Sequence, residues 1–146
     1  MMYSQSPQQP VIPLSITQHM RALVVSCDPS CINTIQEALQ PFLKSICVAT
    51  NDEEVDFVLT DAQIFPLVII DTACVHSPCE LANAIKSRWP GSELIFISED
   101  MSSWMELIQR GAYEMLPKPL AMTDLNWAVT GAVLRHLPAK ALGAAS

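Results

Sequence analysis

Four apolar runs in this 146-residue chain each lead to a residue that can do chemistry. Ala22-Leu23-Val24-Val25 leads to Ser26, Cys27 and Asp28. Leu67-Val68-Ile69-Ile70 leads to Asp71, and Leu94-Ile95-Phe96-Ile97 to Ser98. Tyr113 to Leu116 is followed within two residues by Lys118. A carboxylate at the end of a buried strand is an anion in a crevice, and a lysine brought beside it balances the charge. Ser26 offers a weak neutral hydroxyl and Cys27 a soft thiol. A hard divalent cation such as magnesium prefers carboxylate oxygens to either. Asp28 is followed by Pro29, so it reads as a helix N-cap with proline at the first helical position.

The cysteines form a second constellation. Cys27, Cys31, Cys74 and Cys79 all fall near the polar ends of these runs, with His76 between the last two. Such a group could bind zinc or sense oxidation. The spacing is not that of a CxxC site, and a buried cysteine is also a common small apolar residue. Five cysteines are an odd number with no export signal, so the expectation is reduced thiols in a cytoplasmic protein.

The elements that must position these residues follow from periodicity. Each apolar run is a short buried strand. After Asp28-Pro29, Ile32, Ile35, Leu39 and Phe42 recur at helical spacing, and Ser45 to Ala49 is a second strand. Asn51 caps a helix carrying Val55, Val58 and Leu59. Ser77-Pro78 opens a helix containing Leu81, Ala84 and Ile85, which ends at Trp89-Pro90-Gly91. Ser102 or Ser103 starts a helix with Leu107 and Ile108, and Gly111 stops it. Thr123 caps a last helix with Leu125, Ala128, Val129, Ala132 and Val133 inward. Strands and helices alternate five times, and the strands are apolar on both faces. That is an α/β doubly wound parallel sheet with helices on both faces, whose functional groups gather at the carboxyl ends of the strands.

Those groups, in that order, resemble the receiver domain of bacterial two-component response regulators. Gly111 to Pro119 (GAYEMLPKP) is similar to the family's Gly-Ala, strand, Lys-Pro pattern. Pro66 to Cys74 (PLVIIDTAC) resembles the strand ending in the phosphoacceptor aspartate, and Ile95 to Asp100 (IFISED) the strand ending in Ser or Thr. The resemblance implies a flavodoxin-like sheet in the order 2-1-3-4-5. It makes Asp71 the phosphoacceptor candidate, with Ser98 and Lys118 completing the phosphate pocket. The switch position falls on Met115, with Tyr113, two places earlier and expected on the same face, as its substitute.

The sequence departs from the family at the metal site, where Ser26 and Cys27 replace the two strand-one acids. Magnesium is therefore not expected, and no other cofactor is. Thr72 to His76 also lacks the family's Met-Pro and Gly, and Glu99 replaces a small residue. The expected function is non-enzymatic: an atypical (pseudo-)receiver, a regulatory interaction and dimerisation module in two-component signalling or transcription control. A receiver phosphorylated on Asp71 by a histidine kinase is one alternative, and a thiol-based metal or redox sensor another. The partner surface implied is that of helix four, strand five and helix five, serving a homodimer, a kinase or a fused output domain. Trp104 and Trp127 either anchor that surface or fold flat over apolar neighbours.

Composition bounds the rest. Half the residues are apolar, enough for a core. A net charge of −7 with eight scattered basic residues argues against nucleic acid. No apolar run reaches membrane-spanning length, and the N-terminus lacks the form of a signal peptide. Only four glycines and no Gly-rich loop argue against a nucleotide module. The expected organisation is a flexible N-terminal tail over 1–19, a receiver-like domain over 20–137, and a linker or tail over 138–146. His19 and His136 read as solvated.

Overall fold

The computed structural model describes residues 20–40, 43, 45–61 and 63–135. The expected tail and linker, Phe42, His19 and His136 lie outside the described residues. Five parallel strands form one sheet in the order β2-β1-β3-β4-β5. They are β1 (Arg21–Val25), β2 (Ser45–Ala49), β3 (Leu67–Asp71), β4 (Glu93–Ser98) and β5 (Ala112–Pro117). The helices are α1 (Pro29–Leu39), α2 (Asp52–Thr60), α3 (Pro78–Arg88), α4 (Trp104–Gln109) and α5 (Met122–Arg135). Short 3-10 turns cover Thr72–Cys74 and Met101–Ser103. The expected doubly wound order is the observed one.

Two cores form because side chains alternate across the sheet. Ala22, Val24, Leu67, Ile69, Ile95 and Ile97 face α1 and α5. Leu23, Val25, Val68, Ile70, Leu94 and Phe96 face α2, α3 and α4. Strands buried on both faces must be apolar throughout, and β3 is buried along its whole length. Each large aliphatic side chain so buried contributes about 1.5–3 kcal/mol.

Helix boundaries follow local chemistry. Asp28 accepts from the Ser30 amide at 3.0 Å with Pro29 opening α1. Asn51 accepts from the Glu54 amide, and Glu54 returns a bond to the Thr50 amide, an arrangement close to a capping box. Ser77 caps α3 ahead of Pro78. Gly111 follows α4 at φ 103°, a conformation that favours glycine.

Several expectations need correction. Ser103 stands at the N-cap position of α4, as expected, but makes no side-chain cap bond; the capping carboxylate is that of Asp100, which accepts from the Ser102 amide at 2.9 Å and opens the 3-10 turn ahead of the helix. Thr123 lies inside the first turn of α5 rather than before it. In α3 the buried alanine is Ala82, while Ala84 is exposed, and in α1 Cys31 is buried more fully than Ile32. The last correction concerns β5. A register irregularity against β4, between Leu94 and Ile95, places Ala112 and Met115 in the α2–α4 core, while Tyr113 packs on the opposite core. Tyr113 and Met115 therefore face opposite sides of the sheet.

Candidate functional site

The sheet register builds the site. Val25 pairs with Ile70 across adjacent strands, so the residues that follow, Ser26 and Asp71, emerge side by side. Asp71 also pairs with Ile97, and Ser98 with Pro117, which brings the ends of β4 and β5 to the same edge. The sequence alone predicts this gathering, and Asp71, Lys118 and Ser26 meet as expected.

Asp71 is buried, its side chain fully shielded from solvent. Its Oδ2 accepts from Lys118 Nζ at 2.8 Å and from Ser26 Oγ at 3.1 Å. Its Oδ1 accepts from the Ala73 amide at 3.1 Å and so caps the turn that follows β3. Each donor offsets part of the desolvation of a buried carboxylate. Ser26 Oγ in turn accepts from the Asp28 amide at 3.2 Å. Lys118 Nζ also stands 4.0 Å from Asp28 Oδ2, so one ammonium lies within ion-pair distance of both carboxylates. Burial acts to lower the Lys118 pKa. The hydrogen bond and charge of Asp71, with smaller help from Cys31 and Asp28, offset that and hold it above its ordinary value.

Ser98 is buried at the end of β4, but its hydroxyl is engaged with the adjoining loop. Ser98 Oγ donates to the Asp100 carbonyl at 2.8 Å and accepts from the Asp100 amide at 3.1 Å. The link between Ser98 and Lys118 is through the backbone, the Lys118 amide donating to the Ser98 carbonyl at 3.0 Å. Glu99 is exposed. The Lys118-Pro119 peptide bond is cis.

The expectation of reduced thiols fails at two positions. Cys27 and Cys74 are joined as a disulfide, with Cα atoms 5.8 Å apart, and the Cys27 amide also donates to Cys74 Sγ at 2.9 Å. Cys31, Cys47 and Cys79 are free thiols. The four cysteines and His76 do not assemble as one centre: among the described residues, no group of three or more His, Cys, Asp or Glu is placed to hold a metal ion. The pairing was missed although both cysteines were placed at one edge of the sheet. The usable signal was the adjacency of β1 and β3 in the expected strand order.

The donors around the magnesium position of receivers fit that ion poorly. They comprise a serine hydroxyl engaged with Asp71, a cysteine sulfur tied in a disulfide, and Asp28, which caps α1 and faces Lys118.

Trp104 and Trp127 are 40% and 42% exposed. Trp127 lines a groove along β5 with Tyr113, Met115 and Asp124. Tyr113 packs under α5, where Arg135 stacks over its ring at 5.0 Å and Gly131 leaves room for its hydroxyl. Among the described residues no helix is long and apolar enough to cross a membrane.

No protein-family model matches the chain. No curated protein matches it either. Solved structures do. The HemR receiver domain from Leptospira biflexa, in its non-phosphorylated form, superposes with a TM-score of 0.70 at 22% identity, over 82% of this chain and 98% of that one. The chemotaxis response regulator CheY4 of Vibrio cholerae gives 0.66 at 18% identity, over 77% and 98%. The response regulator DrrB, an OmpR/PhoB homolog of Thermotoga maritima, gives 0.68 at 23% identity over 80% of this chain. The match spans about half of DrrB, 53% of its length. With the sheet order and the carboxyl-edge placement of Asp71, Ser98 and Lys118 already established, this chain has the fold of response-regulator receiver domains.

Proposed function

We propose that the chain is an atypical receiver: a cytoplasmic, non-enzymatic regulatory module that acts through protein contacts and without magnesium-dependent phosphorylation. One observation carries this reading. Where receivers carry two acids after β1, this chain has Ser26, whose hydroxyl donates to Asp71 at 3.1 Å, and Cys27, whose sulfur is tied to Cys74, and neither offers a carboxylate to a hard cation. Phosphoryl transfer depends on positioning and charge neutralisation, and receivers take much of the latter from a metal. With Ser26 and Cys27 at the metal positions, the Asp71–Lys118 pair serves as a structural closure of the crevice.

The exposed face of α4, β5 and α5, carrying Trp104 and Trp127, is the surface we assign to a second copy or to a protein partner. Large exposed aromatics beside an open edge strand suit such a contact. The kinase-dependent alternative is favoured by the retained Asp71, Ser98 and Lys118, and the same experiment decides between the two. The protein is incubated with beryllofluoride, with and without magnesium, and its spectrum and size are followed. The proposal expects no magnesium-dependent change. A change that needs magnesium and disappears in Asp71→Asn would return the chain to the phosphorylated receivers.

A further inference from the structure

We propose that Cys27 and Cys74 are a thiol–disulfide exchange site whose two states tighten and release the crevice around Asp71, with low-molecular-weight thiols and their disulfides as the reactant class. The inference goes beyond the function proposed above and stands whether or not Asp71 accepts a phosphoryl group. It begins with placement. Cys27 lies two residues beyond β1 and Cys74 three beyond Asp71, on loops leaving adjacent parallel strands. Their Cα separation of 5.8 Å is within the ordinary range for a disulfide.

The two residues that flank the bridge hold Asp71. Ser26, next to Cys27, and Ala73, next to Cys74, each donate to the Asp71 carboxylate at 3.1 Å. A covalent link between their neighbours keeps both donors on the carboxylate. Its reduction frees the two loops from each other and leaves those bonds to local forces alone.

Reactivity is divided between the two sulfurs. Cys27 is exposed and open to a small thiolate, whereas Cys74 is half-buried. The Cys27 amide donates to Cys74 Sγ at 2.9 Å, a contact that favours negative charge on that sulfur. Cys27 Sγ is thus the sulfur attacked, and Cys74 the leaving thiolate. A thiolate RS⁻ attacks Cys27 Sγ, the Sγ–Sγ bond breaks, and Cys74 leaves as a thiolate that takes a proton. A second RS⁻ attacks the sulfur of R in the mixed disulfide and releases Cys27 as thiolate, which is protonated in turn. The products are two protein thiols and RSSR, and the reverse reaction uses RSSR as oxidant. The other thiols compete poorly. Cys31 is buried, and burial followed by the Asp71 charge pushes its pKa up; burial is also the leading cause of the rise at Cys47 and Cys79.

The test equilibrates the full chain with graded mixtures of glutathione and glutathione disulfide, traps free thiols by alkylation, and maps linked peptides by mass spectrometry. Amide exchange is measured in the two end states. A single Cys27–Cys74 link that opens as thiol rises is expected. Protection of the amides over residues 26–28 and 71–75 should fall by about tenfold or more on reduction. Alkylation of all five cysteines in every mixture, a link through Cys31, Cys47 or Cys79, or unchanged exchange beside Asp71 would each overturn the proposal. The variant Cys31→Ala/Cys47→Ala/Cys79→Ala keeps the pair and should show the same transition; its loss would also overturn the proposal.

Discussion

Replacing Lys118 with methionine is the perturbation whose size follows most directly from the structure. The side chain keeps its apolar stem, one heavy atom shorter, and loses its charge. Asp71 has no solvent-exposed side-chain surface, and Lys118 is 15% exposed. An exposed ion pair contributes about 0.2–1 kcal/mol, whereas removing one partner of a buried pair costs about 3–5 kcal/mol, because the remaining charge is left without its counter-ion. Burial at this site selects the second range. Ser26 Oγ and the Ala73 amide still donate to Asp71, which places the expected loss near the lower end, about 3 kcal/mol. Urea unfolding at neutral pH measures it. Asp71→Asn in the same chain should recover a large part of the loss, because it removes the orphaned charge. The pH profile supplies an independent arm. The folded-state pKa of Lys118 is raised, so its contribution is fully present below the unfolded value of about 10.4 and disappears as pH rises through the folded one. Wild type should therefore lose stability above that pH more steeply than Lys118→Met. A loss below about 1 kcal/mol, or no recovery in the double variant, would refute the buried-pair reasoning.

Three further outcomes are expected. A Cβ at Gly131 would run into Tyr113 Oη and stand 3.2 Å from its Cζ, so Gly131→Ala should cost about 1–3 kcal/mol in urea melts, and less in a Tyr113→Phe background. Reducing the Cys27–Cys74 bridge, whose ends are 47 residues apart in sequence, should lower stability by up to ~4 kcal/mol; equal melts with and without reductant would contradict this. If the α4–β5–α5 face self-associates, Trp127→Ala should weaken the dimer by about tenfold or more in sedimentation, whereas unchanged association would remove that residue from the interface.

Much of this architecture was legible in the sequence because burial on both sheet faces demands unbroken apolar runs, and those runs mark β1, β3 and β4 plainly. The inward line of α5, from Leu125 to Val133, is fully as expected. The Asp71–Lys118 pair was legible for the same reason, since parallel strands deliver their terminal residues to one edge. What escaped depended on details finer than a pattern. A register irregularity in β5 separates Tyr113 from Met115, and nothing in the spacing of AYEML announces it. The Ser98 hydroxyl turns to the Asp100 backbone, a choice of side-chain rotation. The 3-10 turn that Asp100 opens ahead of α4 has no periodicity of its own to mark it, although the helix itself starts at Ser103 as expected. The Cys27–Cys74 link was obscured by the inference from compartment to reduced thiols, although the strand order already brought the two loops together.

Ser26 and Cys27 stand where receivers carry the acids that hold magnesium, so under the proposed function no phosphoryl transfer to Asp71 is expected. Intact-mass spectrometry of the protein treated with acetyl phosphate and magnesium tests it most directly. The predicted result is an unmodified mass in both wild type and Asp71→Asn. A phosphoryl adduct on wild type that is absent from Asp71→Asn would contradict it.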